Sequence, residues 1–455
     1  MPEEPIPPRA PDGGAPVTPQ PHARTARLRR LLRLAAVDVA PLRRHRDFRL
    51  IFIGQFVSFF GSMITYVALP YQVYALTHSS LAVGAMGAVQ FVPLLLLAFV
   101  GGALADSFNR RWLVLITELG MEGSSALLAL IALLPHPQLW MLYVIGALAA
   151  SLDSLQRPSL NALIPRLVDV DELTAASALS GLRSNTAMIL GPALAGLLIA
   201  SLGLTSTYLV DVATFAVSLV TLALMRATPP PPDAERPSLR RVVEGLRYAG
   251  SRQELLGTYV VDMVAIFFGM PNALFPALAV QYAHGGGQAA VARALGLLFA
   301  APGVGAFLAS ATSGWAQRVH RRGRAVILAA GGWGLAITGL GLVADLRLAC
   351  VFLALAGGAD MISGLFRSVI WNETIPDALR GRLASIEMLS YLSGPLLGDF
   401  ESGAVATAFT PRISVLSGGV ICMLGVGVVA LALPRFRRYD NRHVPAVEAA
   451  PAAAR

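Results

Sequence analysis

Apolar stretches of about 20 residues recur along the chain from residue 50 onward, and short polar segments separate them. A helix of about 20 apolar residues is long enough to cross the hydrocarbon core of a bilayer. The pattern predicts an all-α membrane protein with twelve transmembrane helices. We expect them near residues 50–76, 81–104, 112–134, 138–157, 177–202, 204–226, 254–282, 291–316, 325–344, 347–371, 383–408 and 412–434.

The arginines are concentrated in alternate loops. The loops after even-numbered spans hold most of them, as at Arg110 and Arg111, whereas the odd-numbered loops are flanked chiefly by Arg293, Arg347 and Arg412. Basic residues near span ends stay in the cytoplasm. The distribution therefore predicts an even number of spans, with both termini and every even-numbered loop cytoplasmic.

Four consecutive prolines at 229–232 interrupt the series of spans. A proline run forms a semi-rigid linker, and this one divides the spans into two groups of six. The domain prediction is a disordered, basic cytoplasmic tail (1–48), an N-terminal six-helix bundle (49–226), a cytoplasmic linker (227–252), a C-terminal six-helix bundle (253–434) and a cytoplasmic tail (435–455). Part of residues 24–49 could instead form an amphipathic helix on the membrane surface.

Composition excludes several function classes. The chain is 55% hydrophobic and 14% charged, which fits a multi-span membrane protein and not a soluble one. All 36 basic residues are arginine, so the chain has no P-loop lysine for ATP hydrolysis and no lysine for Schiff-base chemistry. We expect no enzyme activity, no cofactor and no metal site. The net charge of +9 follows from topology and does not indicate nucleic-acid binding, and Cys350 and Cys422 are expected to be buried and unpaired.

Ionisable residues inside the predicted spans are the first candidate functional groups, because charge at membrane depth is costly. A carboxyl group there can take up and release a proton during a transport cycle. The proton-coupling candidates are Glu118, Glu122, Asp153, Arg183, Asp262 and Asp360. Glu122 and Asp360 lie deepest and are the preferred pair. Asp153 and Arg183 could instead neutralise each other as a structural pair.

Aromatic and polar residues in the spans are candidates for lining a substrate cavity. They are Gln55, Phe59, Tyr66, Gln90, Phe267, Phe268 and Tyr391. Each could alternatively serve helix packing or lipid contact. Two Gly-Pro pairs, Gly191-Pro192 and Gly394-Pro395, are predicted to kink spans 5 and 11, since proline removes a helix hydrogen bond. Ordinary packing of small residues is the alternative for both pairs.

A family resemblance rests on residues 101–111, whose pattern G-x-L-A-D-x-x-x-R-R is similar to the loop between helices 2 and 3 of major facilitator superfamily transporters. With His45–Arg49, Val67–Val73, Asn161–Val168 and Arg380–Ser385, the chain resembles the enterobactin-exporter-like branch of drug and siderophore exporters. The first Gly-Pro pair resembles the motif of antiporter branches. One departure is span 4, which carries Asp153 where the better-known antiporter pattern has an arginine inside the membrane.

The resemblance implies the major facilitator fold, with the substrate between two rocking bundles. It gives Gly102, Leu104, Asp106, Arg110 and Arg111 a gating role, with span 11 near residues 382–387 as the partner.

The function expected is a proton-coupled exporter of an amphipathic small molecule, drug-like or siderophore-like. It is expected to be a monomeric, multi-pass protein of the bacterial inner membrane. An importer of the same fold and a transport-inactive sensor or regulator are the alternatives. A channel is disfavoured because the sequence has no filter-like repeat or ring of charges.

The second half contains a counterpart of the 101–111 segment at residues 313–322, where Arg318 stands in place of Asp106. A contact that depends on the aspartate would then exist only in the first half. We expect Asp106→Asn to cripple transport and Arg318→Gln to have a mild effect. Efflux by both variants at equal expression checks this, and equal transport by the two would remove the special status of the first copy.

Overall fold

A computed structural model describes residues 38–107, 110–226, 247–440 and 442, without the side chains of residues 98–107, 110, 162, 377, 378, 380–382 and 384–392. Most of the predicted N-terminal tail, linker and C-terminal tail thus lies outside the described residues, and the domain division stays a prediction. Two of its boundaries differ from the helices: a helix already begins at Arg46, and residues 247–251 are helical.

The described chain is almost entirely helical. The helices are α1 (Ala40–Arg44), α2 (Arg46–Thr77), α3 (Ser80–Ser107), α4 (Arg110–Leu133), α5 (Leu139–Leu163), α6 (Leu173–Ala223), α7 (Gln253–Gly269), α8 (Phe275–Tyr282), α9 (Gly287–Ala311), α10 (Arg322–Leu342), α11 (Leu346–Thr374), α12 (Asp377–Ala408), α13 (Pro411–Ala432) and α14 (Pro434–Arg437). Short 3-10 turns lie at Ile164–Arg166, Val170–Glu172, Asn272–Leu274 and Ser313–Arg318.

Helix α6 contains two predicted spans. It is 51 residues long, and at 1.5 Å per residue that is more than twice the thickness of a bilayer core. Its backbone leaves helical geometry at Gly203, with φ 79° and ψ 175°, a conformation that glycine adopts without steric cost. The chain turns back at this residue, which lies between the predicted fifth and sixth spans.

The number of spans is not settled by the helices. By length and composition, ten helical segments among the described residues are able to cross a membrane, and one of them, Val170–Ala223, includes the turn at Gly203. The all-α membrane architecture agrees with the prediction, and the number twelve stays a prediction.

The predicted span 254–282 is interrupted, which the apolar pattern did not indicate. Helix α7 ends at Gly269, and a 3-10 turn joins it to α8. Pro271 and Pro276 flank this turn and cannot donate the hydrogen bonds that a continuous helix needs. Side chains serve the freed backbone groups: the indole of Trp333 donates to the Gly269 carbonyl at 3.1 Å, and the Asp399 carboxyl accepts from the Ala273 N–H at 3.0 Å.

The helical assembly has two ends, here called the hairpin end and the tail end. The connections at residues 78–79, 343–345 and 409–410 define the hairpin end, and residues 38–45 and 433–440 define the tail end. At the tail end, Phe436 of α14 is fully buried against Gly257 of α7.

A partly buried hydrogen bond holds the chain just after α14. The Tyr439 hydroxyl donates to Glu373 of α11 at 2.9 Å, and Glu373 also pairs with Arg322 of α10. Burial and the bond to Glu373 raise the pKa of Tyr439 above its ordinary value. The C-terminal segment is therefore a packed part of the second group of helices at the tail end.

The helices before and after residues 227–246 form two groups that meet along two glycine-lined contacts. Helix α3 packs against α12, where the backbone of Asp399 comes close to Gly84. The first part of α6 packs against α9, where Gly196 faces Gly296. Small residues let membrane helices approach at the backbone. Both contacts lie toward the hairpin end, which holds the two groups together there. Both cysteines are free, as predicted, but only Cys422 is buried, whereas Cys350 is partly exposed.

Gly296→Val tests the second contact. An added side chain would meet the Pro192 carbonyl and the Gly196 backbone, so we expect overpacking to cost about 1–3 kcal/mol. The measurement is the thermal unfolding midpoint of the purified protein in detergent. The matched control is Gly427→Val, because a side chain at Gly427 would meet nothing within 4 Å. An equal loss in both variants would show that the contact between α6 and α9 is not tight.

Candidate transport site

The gating segment is more helical than predicted. Helix α3 continues to Ser107 and α4 begins at Arg110, so only residues 108–109 lie between them instead of an eleven-residue loop. The side chains of Gly102, Leu104, Asp106 and Arg110, and those of the partner region 384–387, lie outside the described residues. The gating contact stays a prediction. In the second copy, Arg318 is exposed at the end of a 3-10 turn.

Arg111 contacts the end of another helix in its own group. Its guanidinium donates to the carbonyls of Leu222 at 3.0 Å and Ala223 at 2.6 Å. These carbonyls close α6, where a positive charge complements the helix dipole. Arg111 therefore ties the start of α4 to the end of α6, a structural role beside the predicted gating role.

Glu118 is the most enclosed carboxylate of the predicted set, with 0% exposure. The Gln55 amide donates to both of its oxygens at 3.3–3.4 Å, and the Gln156 amide forms a second, short hydrogen bond. Ser58 and Ser218 lie beside it. These donors come from α2, α5 and α6, so Glu118 of α4 lies at the centre of the first group. Gln55 is 5% exposed and serves as its partner, which differs from the predicted cavity-lining role.

Asp153 pairs with Arg157 one helical turn later, with the Arg157 Nε and the Asp153 carboxylate oxygen 2.6 Å apart. The predicted pairing of Asp153 with Arg183 is therefore wrong. Residues four apart on a helix meet on one face, and that local partner is closer than one on another helix.

Arg183 instead lies over the ring of Phe59, with its guanidinium carbon 5.9 Å from the ring centre. Its buried Nε has no hydrogen-bond partner. Glu118 interacts with it electrostatically without a contact short enough to be an ion pair. Arg183 and Phe59, predicted for different roles, are thus brought together.

The second group carries a cluster of three charges. Arg367 of α11 forms an ion pair with Asp262 of α7, and its other terminal nitrogen lies 3.9 Å from Asp360. The Arg367 and Asp262 side chains are each 10% exposed, whereas that of Asp360 is 56% exposed. Two carboxylates therefore share one guanidinium, and the surplus carboxylate is the accessible one.

The preferred pair of proton-coupling candidates differs from the prediction in burial. Glu122 and Asp360 do lie near the middle of α4 and α11. Glu122 is only half-buried, one turn after the fully buried Glu118, and Asp360 is exposed. Position along a helix gives depth in the membrane, but the face that a residue occupies decides its enclosure.

The other cavity candidates are distributed over both groups. Tyr66 is 46% exposed, and its hydroxyl accepts from the Asn272 amide at 3.1 Å, a hydrogen bond between the two groups. Phe267 and Phe268 stack edge to face, 4.8 Å apart. Gln90 is half-buried beside Gly146 of α5. The side chain of Tyr391 lies outside the described residues.

The Gly-Pro pairs do not end their helices. Helices α6 and α12 continue through Pro192 and Pro395, and the non-helical residue of α6 is Gly203. Gly191 packs against α2, and Gly394 packs against Ile266 of α7. Both glycines thus make the close helix contacts that small residues allow, and the kinks at the two prolines stay a prediction.

Sequence reasoning missed two acids within the helices, one buried and one partly buried. Asp211 of α6 is 1% exposed and accepts from Thr65 at 2.5 Å and Ser125 at 2.7 Å. Asp399 of α12 accepts the Ala273 N–H at the interruption between α7 and α8. Asp211 stands alone in an apolar run, and Asp399 lies with Glu401 in another; an acid inside an apolar span is the signal that identified Glu118.

One group of described residues has a geometry that suits a metal ion. Ligand atoms of His45, Asp169 and Glu172 lie within 4.8 Å of one another at the tail end. Arg44 already pairs with Glu172 at 3.0 Å, and His45 contacts the other Glu172 oxygen at 2.7 Å. A guanidinium at this position opposes a cation, so the trio reads as a link between the start of α2 and the loop before α6.

The family follows from the sequence as a whole. The model of the MFS_3 family, described as transmembrane secretion effector, matches residues 36–453. The chain belongs to this family. It is a multi-pass membrane transporter of the major facilitator type, which confirms the resemblance seen in the 101–111 segment.

Curated relatives and solved structures agree. Enterobactin exporter EntS from Escherichia coli is 29% identical over 418 residues, covering 89% of this chain and 95% of that protein. EntS from Citrobacter koseri is 29% identical over 412 residues. Nucleoside transporter NupG shares the fold with a TM-score of 0.69 at 12% identity, covering 87% of this chain and all of that one. A bacterial homologue of the human lysosomal transporter Spinster has a TM-score of 0.68 at 14% identity, covering 88% and 98%. These relatives and neighbours are transporters and not enzymes.

Glu118→Leu tests the central hydrogen-bond network. The change leaves the Gln55 and Gln156 amides without an acceptor, which we expect to destabilise the protein by about 1–3 kcal/mol per unsatisfied group. Glu118→Gln retains an acceptor oxygen, so a smaller loss is expected. The thermal midpoints of the purified variants distinguish these outcomes, and equal midpoints would show that the network does not contribute to stability.

Proposed function

We propose that this chain exports an amphipathic small molecule across the bacterial inner membrane in exchange for protons. The observation that carries the proposal is the surplus carboxylate of the cluster formed by Asp262, Asp360 and Arg367. Among the described residues, this cluster joins α7 and α11 at membrane depth.

The charge balance of this cluster suits a reversible proton site. Asp262 already neutralises Arg367, so a proton can join or leave Asp360 without leaving the guanidinium unpaired. Like charges close together favour protonation of one of them. An ionisable residue at membrane depth faces the interior or a water-filled cavity, which gives Asp360 a route for protons.

Export and cargo class are supported by the relatives. The curated proteins that match over 89% of the chain are named enterobactin exporters. A siderophore-like or drug-like molecule is therefore the proposed cargo. Aromatic side chains of both groups, such as Phe59, Phe267 and Phe268, suit a ligand with apolar parts.

The positive-inside rule supports a topology with the tail end in the cytoplasm. The contacts of Gly84 with Asp399 and of Gly196 with Gly296 then lie on the outer side. In this arrangement the outer side is closed, and rocking of the groups must separate these contacts to release cargo. The hydrogen bond between Tyr66 and Asn272 must break in the same step.

Asp360→Asn tests proton coupling directly. Everted vesicles are energised by respiration, enterobactin is added, and proton release is followed with a pH-sensitive dye. We expect wild type to release protons on cargo addition and Asp360→Asn to lose at least about 90% of this signal, because asparagine cannot take up the proton. A protonophore should abolish cargo accumulation by wild type.

The matched control is Glu122→Gln, which removes a carboxylate of similar depth from the other group and should retain coupling. Full coupling in Asp360→Asn would exclude Asp360 as the proton site. Cargo uptake that is driven into intact cells, with none into everted vesicles, would identify an importer.

A further inference from the structure

We infer that Arg183 and Phe59 form a subsite for an oxyanion carried on an aromatic ring of the cargo. The inference rests on the transport function proposed above and names the class of molecule transported. It starts from an arginine whose hydrogen-bonding capacity the protein leaves unused.

Arg183 differs from the other arginines inside the described spans. Arg157 is paired with Asp153, and Arg367 is paired with Asp262. Among the described residues, Arg183 forms no ion pair within 4.0 Å. Its buried Nε has no hydrogen-bond partner, which is also true of the Nε of Arg367, but the terminal nitrogens of Arg367 are engaged by carboxylates. A charge at this depth is costly unless it finds a counter-charge. The missing partner is best supplied by a ligand.

The nearest carboxylate does not fill this role. Glu118 is engaged by the amides of Gln55 and Gln156. It attracts Arg183 through space without direct contact. The attraction keeps the guanidinium oriented toward the interior of the first group and leaves its N–H donors available.

The chemistry of the two side chains defines the ligand. A guanidinium is a planar fork that binds carboxylates and similar oxyanions through two parallel hydrogen bonds. The ring of Phe59, 5.9 Å from the guanidinium carbon, offers an aromatic face beside this fork. An anion attached directly to an aromatic ring would use both groups at once.

Arg183 lies close, along α6, to the contact between the two groups. Arg183 precedes Ile189 by less than two turns of α6, and Ile189 packs against Gly303 of α9 in the second group. Along α6, the subsite therefore lies beside the contact between α6 and α9, on the tail side of the point where Gly196 faces Gly296. A bound anion there would sense the rocking of α6 against α9.

The test is equilibrium binding to the purified full-length protein in nanodiscs, without any gradient. The probes are 2-naphthoate and its neutral isostere 2-naphthamide, followed by naphthalene fluorescence. We expect wild type to bind 2-naphthoate at least about tenfold more tightly than 2-naphthamide, and Arg183→Gln to lose this preference. Phe59→Leu should weaken both probes.

The control is Arg157→Gln, which removes the same charge from the same group and should leave the preference within about twofold of wild type. Glu118→Gln should bind 2-naphthoate at least as tightly as wild type, because a neighbouring negative charge is gone. If Arg183→Gln does not fold, Arg183→Lys decides: it keeps the charge but not the fork, and should lose several-fold in affinity for 2-naphthoate alone.

Equal binding of the two probes by wild type would overturn the inference, as would an unchanged preference in folded Arg183→Gln. Tighter binding of (2-naphthyl)methylammonium than of 2-naphthoate would also overturn it, by identifying a cation site. The binding assay uses no gradient, so its result does not depend on whether the efflux assay shows proton coupling. Likewise, a failure of anion binding leaves the result of the efflux assay unchanged.

Discussion

The cost of placing charge inside a membrane governs this structure more than any other constraint. The described acids and bases of the spans meet it in different ways. Asp153 with Arg157, and Asp262 with Arg367, form ion pairs, whereas Glu118 is held by neutral amides. Side chains whose charge or hydrogen-bonding atoms are fully paired stabilise the helix packing. Asp360 and Arg183 are less fully matched, and they are the groups that we propose exchange protons and bind cargo.

The two groups of helices differ in which charged side chain lacks a full partner. The second group holds a carboxylate in excess of its arginine, and the first holds an arginine without a contacting carboxylate. Such a polarised interior suits a carrier whose ligands are themselves charged, because each ligand completes a site that the protein leaves incomplete. Glycine-lined contacts join the two groups toward the hairpin end.

Interrupted helices also place polar groups inside the helical assembly. The break between α7 and α8 and the turn at Gly203 expose backbone groups that a continuous helix would satisfy internally. At the first of these, Trp333 and Asp399 provide the missing partners from two other helices. The interruption thus links α7, α10 and α12 at one level of the structure, so that movement of one affects the others.

Sequence by itself determined the features that depend on neighbouring residues. The lengths of apolar runs located the ends of the predicted spans to within about six residues, but gave no sign of the interruption after Gly269. The 101–111 segment identified the family. The sequence also located most charges at membrane depth, although our reading of it overlooked Asp211 and Asp399.

Only the tertiary structure decided which of these charges meet. Glu118 finds its donors on three other helices, while Asp153 takes the neighbour one turn away. The physical reason is that hydrophobicity acts residue by residue along the chain, whereas hydrogen bonds and ion pairs require atoms within about 3–4 Å, and helix packing alone brings distant residues that close.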